Sequence, residues 1–313
     1  MAASINDVPP LAKYLASSDK KTRDKAVKNL AVFLSNKSEN AAIPELEMGK
    51  LWKGIFYCFW MSDKPLVQQA LATELADLLL AISDTPSSLH FLRGFWVTIV
   101  REWNGIDRLR MDKYYMLVRR FVNASFRLLL RAEWDEPACT EYSDILTHTG
   151  GPLCPSDNRV PASLAFHIGD VYLDELDKVL SDTPTSPCPL STLLSPFFTL
   201  AAGTPAKLTF KHTQETVFEP ILAALQGSSS NSAGPMRKRP RLESTYQHIL
   251  DNSCISDPKS GQVDQSKLRT TILRRIFDVA SEEGTRDSNR RKMYALFKAA
   301  KADEDGEDSE SDT

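Results

Sequence analysis

Lys113, Arg120, Arg127 and Arg131 recur at intervals of seven, seven and four residues, a spacing that gathers side chains on one face of an α-helix. A row of cations is phosphate chemistry. Each neutralised phosphate releases counterions, and an arginine can grip phosphate oxygens with two donors. At 1.5 Å of rise per residue the row is about 27 Å long. It lies within a wider excess, because residues 93–131 hold nine Lys or Arg against Glu102, Asp107 and Asp112. The candidate phosphate-contacting set is therefore Arg101, Arg108, Arg110, Lys113, Arg119, Arg120, Arg127 and Arg131. The competing reading is that a helix with one buried face needs a charged face opposite it. Tyr114, Tyr115 and the tryptophans Trp52, Trp60, Trp96, Trp103 and Trp134 have ring faces on which bases could stack, but their helical spacing assigns most of them to the core.

Other chemistry is thinner. Arg237, Lys238, Arg239 and Arg241 form a short cationic run among small polar residues, the form an importin groove reads as an extended peptide; a plain solvated linker or an extra nucleic-acid contact is the alternative. Cys139, His148 and Cys154 lack a fourth ligand at zinc-like spacing. His167 sits in an apolar run as a packing residue, and Asp174 and Glu175 sit on an ordinary amphipathic helix and are expected to lack any partner that would tune them. No GxSxG, HExxH, P-loop or GxGxxG motif occurs. The expectation is a protein with no enzymatic activity, cofactor, metal or small-molecule substrate.

The elements that must position the cations read as helices. Asp19 caps a helix whose apolar positions Ala26, Val27, Leu30, Phe33 and Leu34 face inward while its other side is lysine-rich. Residues 46–61 are apolar nearly all round, as in a helix covered on two faces. Ser62 or Asp63 is the expected cap of the next helix, with Pro65 in its first turn. Asn104 and Gly105 end a helix over 89–103 by offering a residue that tolerates positive φ. A long helix then runs from Asp107 to about Arg131, with Met111, Tyr114, Val118, Phe121, Val122 and Leu129 on its apolar side. A loop-rich stretch over 135–160 with a short helix near 139–147, a helix over 160–180 and two or three shorter helices to Leu225 complete the body.

The fold class expected is all-α, a HEAT- or armadillo-like α-solenoid of antiparallel helix pairs. Its divisions are a helical domain over 1–225, a flexible basic linker over 226–265, a helix pair over 266–300 and a disordered acidic tail over 301–313. The tail holds Asp303, Glu304, Asp305, Glu307, Asp308, Glu310 and Asp312, with Ser309 and Ser311 among them as kinase targets; it hides a basic body behind the formal net charge of -3. Five cysteines without a CxxC pair fit a reducing compartment, and neither a secretory core nor a membrane-length apolar run is present, so a soluble intracellular protein without a membrane partner is expected.

Two blocks, KLWKGIFYCFWMSDKPLVQQALATELADLL (50–79) and FLRGFWVTIVREWNGIDRLRMDKYYMLVRRFV (91–122), resemble the ribosomal RNA-processing protein 1 family. FHIGDVYLDEL (166–176), LLSPFFTLAA (193–202) and SNRRKMYALFK (288–298) extend the resemblance. It implies a HEAT-like, non-catalytic scaffold of the nucleus and nucleolus, acting within pre-60S particles on precursor rRNA alongside other assembly factors. The residues carried over are a structural and interaction signature: Trp52, Trp60, Asp63, Lys64, Pro65, Trp96, Arg101, Trp103, Asp107, Arg108, Arg110, Asp112 and Lys113. Precursor rRNA thereby becomes the expected polyanion for the arginine-rich helix.

Overall fold

The computed structural model describes residues 11–36, 43–182, 186–226 and 246–310. The chain is an all-α helical solenoid. Its first half is α1 (Leu11–Leu15), α2 (Lys20–Ser35), α3 (Glu45–Trp60), α4 (Pro65–Ala81), α5 (Thr85–Glu102), α6 (Arg108–Arg131), α7 (Glu136–Thr147) and α8 (Ala162–Asp182). Packing follows an every-other-helix rule. Helices α2, α4, α6 and α8 lie side by side in one layer, and α1, α3, α5 and α7 in the other, which is how stacked antiparallel pairs bury a continuous core.

The local signals explain these boundaries. The Asp19 carboxylate accepts from Thr22 N at 2.8 Å, so the expected cap forms, and the Asp107 carboxylate accepts from Leu109 N and Arg110 N and caps the long helix in the same way. Two others differ. Lys64, with Pro65 behind it, is the N-cap of α4, while Ser62 turns its hydroxyl back to Phe59 O. Trp103–Gly105 makes a single 3₁₀ turn, and the left-handed glycines among the described residues are Gly150 and Gly261, so no positive φ is needed at Gly105.

The core is built by the aromatics of α3, α5 and α6. Phe95 stacks on Phe121 with centroids 3.7 Å apart, Phe56 on Tyr114 at 5.0 Å, and Trp52 packs on Phe91 while donating Nε1–H to its carbonyl at 3.0 Å. Close approach of α3 and α5 needs Gly94, where a Cβ would fall 2.4 Å from the Trp52 ring. Trp96, Trp103 and Trp134 are also fully buried, so the tryptophans build the framework. Trp60 alone is partly open, under the Arg110 guanidinium at 4.7 Å.

Helix α6 ends without glycine. Glu133 and Trp134 take left-handed φ of 54° and 57°, and their N–H groups bond to Leu130 O and Leu129 O in a Schellman-type closure. The Trp134 indole, donating to Ser186 O, locks this turn from the far side.

The second half departs from the expected divisions. After α8 come β1 (Cys188–Pro189), α9 (Leu190–Leu193), α10 (Ser195–Gly203), α11 (Lys207–Thr213) and, through a π-helical turn at Gln214–Phe218, α12 (Glu219–Gln226). Residues 227–245 lie outside the described residues, and with them Arg237, Lys238, Arg239 and Arg241. The part of the expected linker from 246 onward is folded onto the body. Helix α13 (Gln247–Asp251) buries Ile249 and Leu250 against α8, and β2 (Ser253–Cys254) pairs in parallel with β1, Cys188 opposite Ser253. A segment with two apolar anchors and one two-residue bridge has no period long enough to read from sequence.

Helices α14 (Gln265–Ser281) and α15 (Asp287–Glu310) form the expected terminal hairpin, and they pack on α10 and α12 and so belong to the same body. Asn289 Nδ2 donates to Thr204 O at 2.7 Å, tying the hairpin to the end of α10. The backbone of α15 stays helical to Glu310, correcting the expected disorder of the acidic stretch: no proline interrupts it, and extending a formed helix carries no nucleation cost. Residues 311–313 lie outside the described part. Among the described residues no helix is long and apolar enough to cross a membrane, and no three His, Cys, Asp or Glu side chains are grouped to hold a metal ion.

Candidate nucleic-acid interface

Helix α6 lies between α4 and α8, so its buried surface extends well beyond one side. Its buried positions include Lys113, Tyr114, Leu117, Val118, Phe121, Val122, Ser125, Phe126 and Leu129. The strip left to solvent runs through Asp112, Arg120 and Arg127, with Met116, Arg119 and Asn123 partly open. Lys113 is therefore not part of an open stripe with Arg120 and Arg127.

Lys113 does something else. Its ammonium donates to Phe59 O at 3.0 Å, Trp60 O at 2.7 Å and Ser62 O at 2.8 Å, closing the C-terminal end of α3 where carbonyls have no helical partner. Burial lowers its pKa to about 8, with Arg110 pushing the same way and Asp63 and Asp107 opposing, so the group still carries its proton at neutral pH. On the other side of this turn Arg23 donates to Ser17 O, Ser18 O and Met61 O. The bend between α3 and α4 is thus gripped by two cations.

The remaining cations are mostly engaged. Arg119 bonds Glu175 at 2.5 Å and reaches Asp174; Arg127 bonds Asp77 on α4 at 2.8 Å; Arg131 donates to Leu80 O; Arg110 pairs with its cap Asp107; Arg101 pairs with Glu102. Arg93, outside the nominated set, is held by Glu141 and Asp144 of α7. The excess of positive charge along residues 93–131 is thus answered in space by carboxylates of α4, α7 and α8. Arg108 and Arg120 are exposed and form no ion pair among the described residues.

Glu175 was missed as a centre. It is buried and receives Arg119, Lys178 at 2.8 Å and Asn123 at 2.9 Å. Burial would raise its pKa, but bonds from Lys178 and Arg119 and their charges outweigh that and hold the carboxyl below the ordinary glutamate range. The signal was present only in part: Lys178 lies three residues on, while Arg119 comes from a helix whose partner cannot be read locally. His167 is a packing residue, its Nε2 2.8 Å from Tyr115 O and its pKa lowered chiefly by burial. Cys139 and Cys154 are buried, and His148 pairs with Asp144, so these three side chains serve separate contacts.

Comparison with known proteins bears on this architecture directly. The family model described as "Nucleolar protein, Nop52" matches residues 6–297, which take in every described helix up to α15. The chain belongs to the Nop52 family. Among relatives of this Nop52-family chain, it is 40% identical over 213 residues to human "Ribosomal RNA processing protein 1 homolog B", covering 67% of the chain and 28% of that protein. It is 29% identical over 327 residues to human homolog A, covering 93% of the chain and 70% of that protein. A homolog from Caenorhabditis elegans is 26% identical over 306 residues, 95% of the chain and 68% of its own length. The chain thus spans little more than a quarter of human homolog B and about two thirds of the other two.

Proposed function

We propose that the protein is a non-catalytic nucleolar assembly factor of the large ribosomal subunit, a helical scaffold in pre-60S particles that is needed for precursor rRNA processing. The observation that carries this reading is the extent of the Nop52 match, which covers the solenoid and its terminal hairpin together. Relatives whose names specify ribosomal RNA processing support it. The function belongs to the folded body as a surface for assembly, and its partners are precursor rRNA and other assembly factors.

Direct RNA contact in this proposal rests on Arg108 and Arg120, with Arg127 and Arg119 contributing the donors their carboxylates leave free, while Arg101, paired with Glu102 on α5, is not part of it. Lys113 is dropped from the contact set and Arg131 and Arg110 act mainly within the fold. Arg108→Glu with Arg120→Glu should weaken binding of the purified chain to single-stranded precursor rRNA. The log–log salt slope should shrink by about 1.4 if two phosphate contacts are lost. An unchanged slope, measured by filter binding across a salt series, removes both residues from the interface.

The consumption of arginines by internal ion pairs favours a second reading, a protein-only helical adaptor without RNA contact. Ultraviolet crosslinking in cells separates the two: the scaffold reading expects reproducible rRNA crosslinks in particles that sediment with large-subunit precursors, and the adaptor expects none. Nuclear entry through importin is assigned to Arg237, Lys238, Arg239 and Arg241. Replacing all four with alanine should leave a fluorescent fusion in the cytoplasm; undiminished nuclear signal means entry by another route.

A further inference from the structure

The outward face of α3 mixes charged side chains with large apolar ones left open to solvent. Leu46 is 72% exposed, and across the boundary with α5 Val97 is 41% exposed. Between them lies an open groove of about 590 Å³ whose lining includes Gly49, Lys50, Lys53 and Arg101. A Cβ added at Gly49 would meet nothing within 4 Å, so the groove is free to receive a side chain there. One turn and more beyond Lys53 the same face carries Tyr57, also 38% exposed. Leu46, Lys50, Lys53 and Tyr57 stand at intervals of four, three and four, a stripe that a second helix can follow.

We infer that the groove between α3 and α5 is a docking site for an amphipathic helix of a neighbouring assembly protein, with apolar anchors over Leu46 and Val97 and a carboxylate facing Lys53. The inference deepens the scaffold reading and rests on it. Charge decides the class of partner. Lys50 is held by Glu47 and Arg101 by Glu102, whereas Lys53 is exposed and has no ion pair among the described residues. RNA is the poorer fit. Its phosphates would meet Glu45, Glu47 and Glu102, and since Lys50 and Arg101 are already engaged by two of those carboxylates only Lys53 is left to oppose them beside the apolar Leu46 and Val97. A helix that brings two or three apolar side chains and one acid matches both features, which is the helix-in-groove mode of recognition.

The test uses the full chain in cells, with a benzoylphenylalanine crosslinker in place of Leu46, an exposed site that tolerates it. Particles are isolated by gradient and adducts identified by mass spectrometry. The expected adduct is a single segment of another protein with apolar residues at helical spacing and a neighbouring Asp or Glu, its yield falling at least fivefold in a Lys53→Glu background of unchanged melting temperature. Adducts to rRNA, to a second copy, to residues 37–42 of the same chain, or no adduct from chain that does sediment with large-subunit precursors, each overturn the groove assignment and leave the scaffold reading standing. Chain that never sediments with those precursors overturns both.

Discussion

Lys113→Met is expected to cost the fold about 2–4 kcal/mol, although a lysine on an arginine-rich helix would ordinarily be replaceable. The loss arises at the far end of another helix. The ammonium is the donor for Trp60 O and shares Phe59 O and Ser62 O with weaker partners, Ser62 and Gln68. Methionine fills the volume but donates nothing, so Trp60 O loses its donor and keeps its desolvation cost, while Phe59 O and Ser62 O lose a charged donor and keep only neutral ones. Equilibrium denaturation followed by tryptophan fluorescence reads this directly, since Trp52 and Trp60 lie on the affected helix. Arg120→Met is the control: that side chain is exposed and unpaired, and its loss should leave the midpoint nearly unchanged. Equal midpoints for the two variants would mean that the α3 end is satisfied without Lys113.

The second large effect is at Glu175. Glu175→Ala removes the shared acceptor of Arg119, Lys178 and Asn123 and should destabilise by about 2–3 kcal/mol, at the lower end for a buried pair because Arg119 and Lys178 both reach water. Its pH dependence has a definite sign. The folded-state pKa lies below the unfolded one, so the contribution is complete above the unfolded value of roughly 4.3 and is lost as pH falls through the folded pKa. Glu175→Gln should therefore lower stability at pH 7 yet flatten its decline below about pH 4.5. Asp157, held low by hydrogen bonds from Arg159, supplies an acid-side decline of its own that both proteins keep. Parallel acid limbs in denaturant midpoints from pH 7 to pH 3 would show that the Glu175 network carries no such linkage.

Helix existence was legible because it depends on neighbours in sequence. Asp19 caps where its spacing from an apolar run says it should, the long helix starts at Asp107 as expected, and Tyr114, Val118, Phe121, Val122 and Leu129 are buried as the 3.6-residue period requires. What the period cannot supply is how many faces a helix buries. Helix α6 is covered by α4 on one flank and α8 on the other, and the end of α3 reaches over its first turns, so Lys113 is inside the protein although its spacing puts it on the same face as Arg120. Pairing was hidden for the same reason. Asp77, Glu141, Asp144 and Glu175, which neutralise the arginines, stand 48 to 56 residues away along the chain from the cations they bind. Residues 246–265 failed differently: their order comes from contacts with α8 and β1, and their composition alone looks like a linker.

The return of residues 246–254 to α8 and β1 also sets an order of events during synthesis. Helices α1 to α6 lean mainly on elements one or two places away, so each can settle while the chain is still emerging from the ribosome. Helices α8, α10 and α12 cannot finish in that way. Their remaining partners, α13, α14 and α15, are made last, and until then Ile221, Leu222 and Leu225 have no cover from α14. The late half of the chain therefore closes only after translation has passed the basic run at 237–241, and a nascent chain stalled there would present a half-built, sticky end to chaperones.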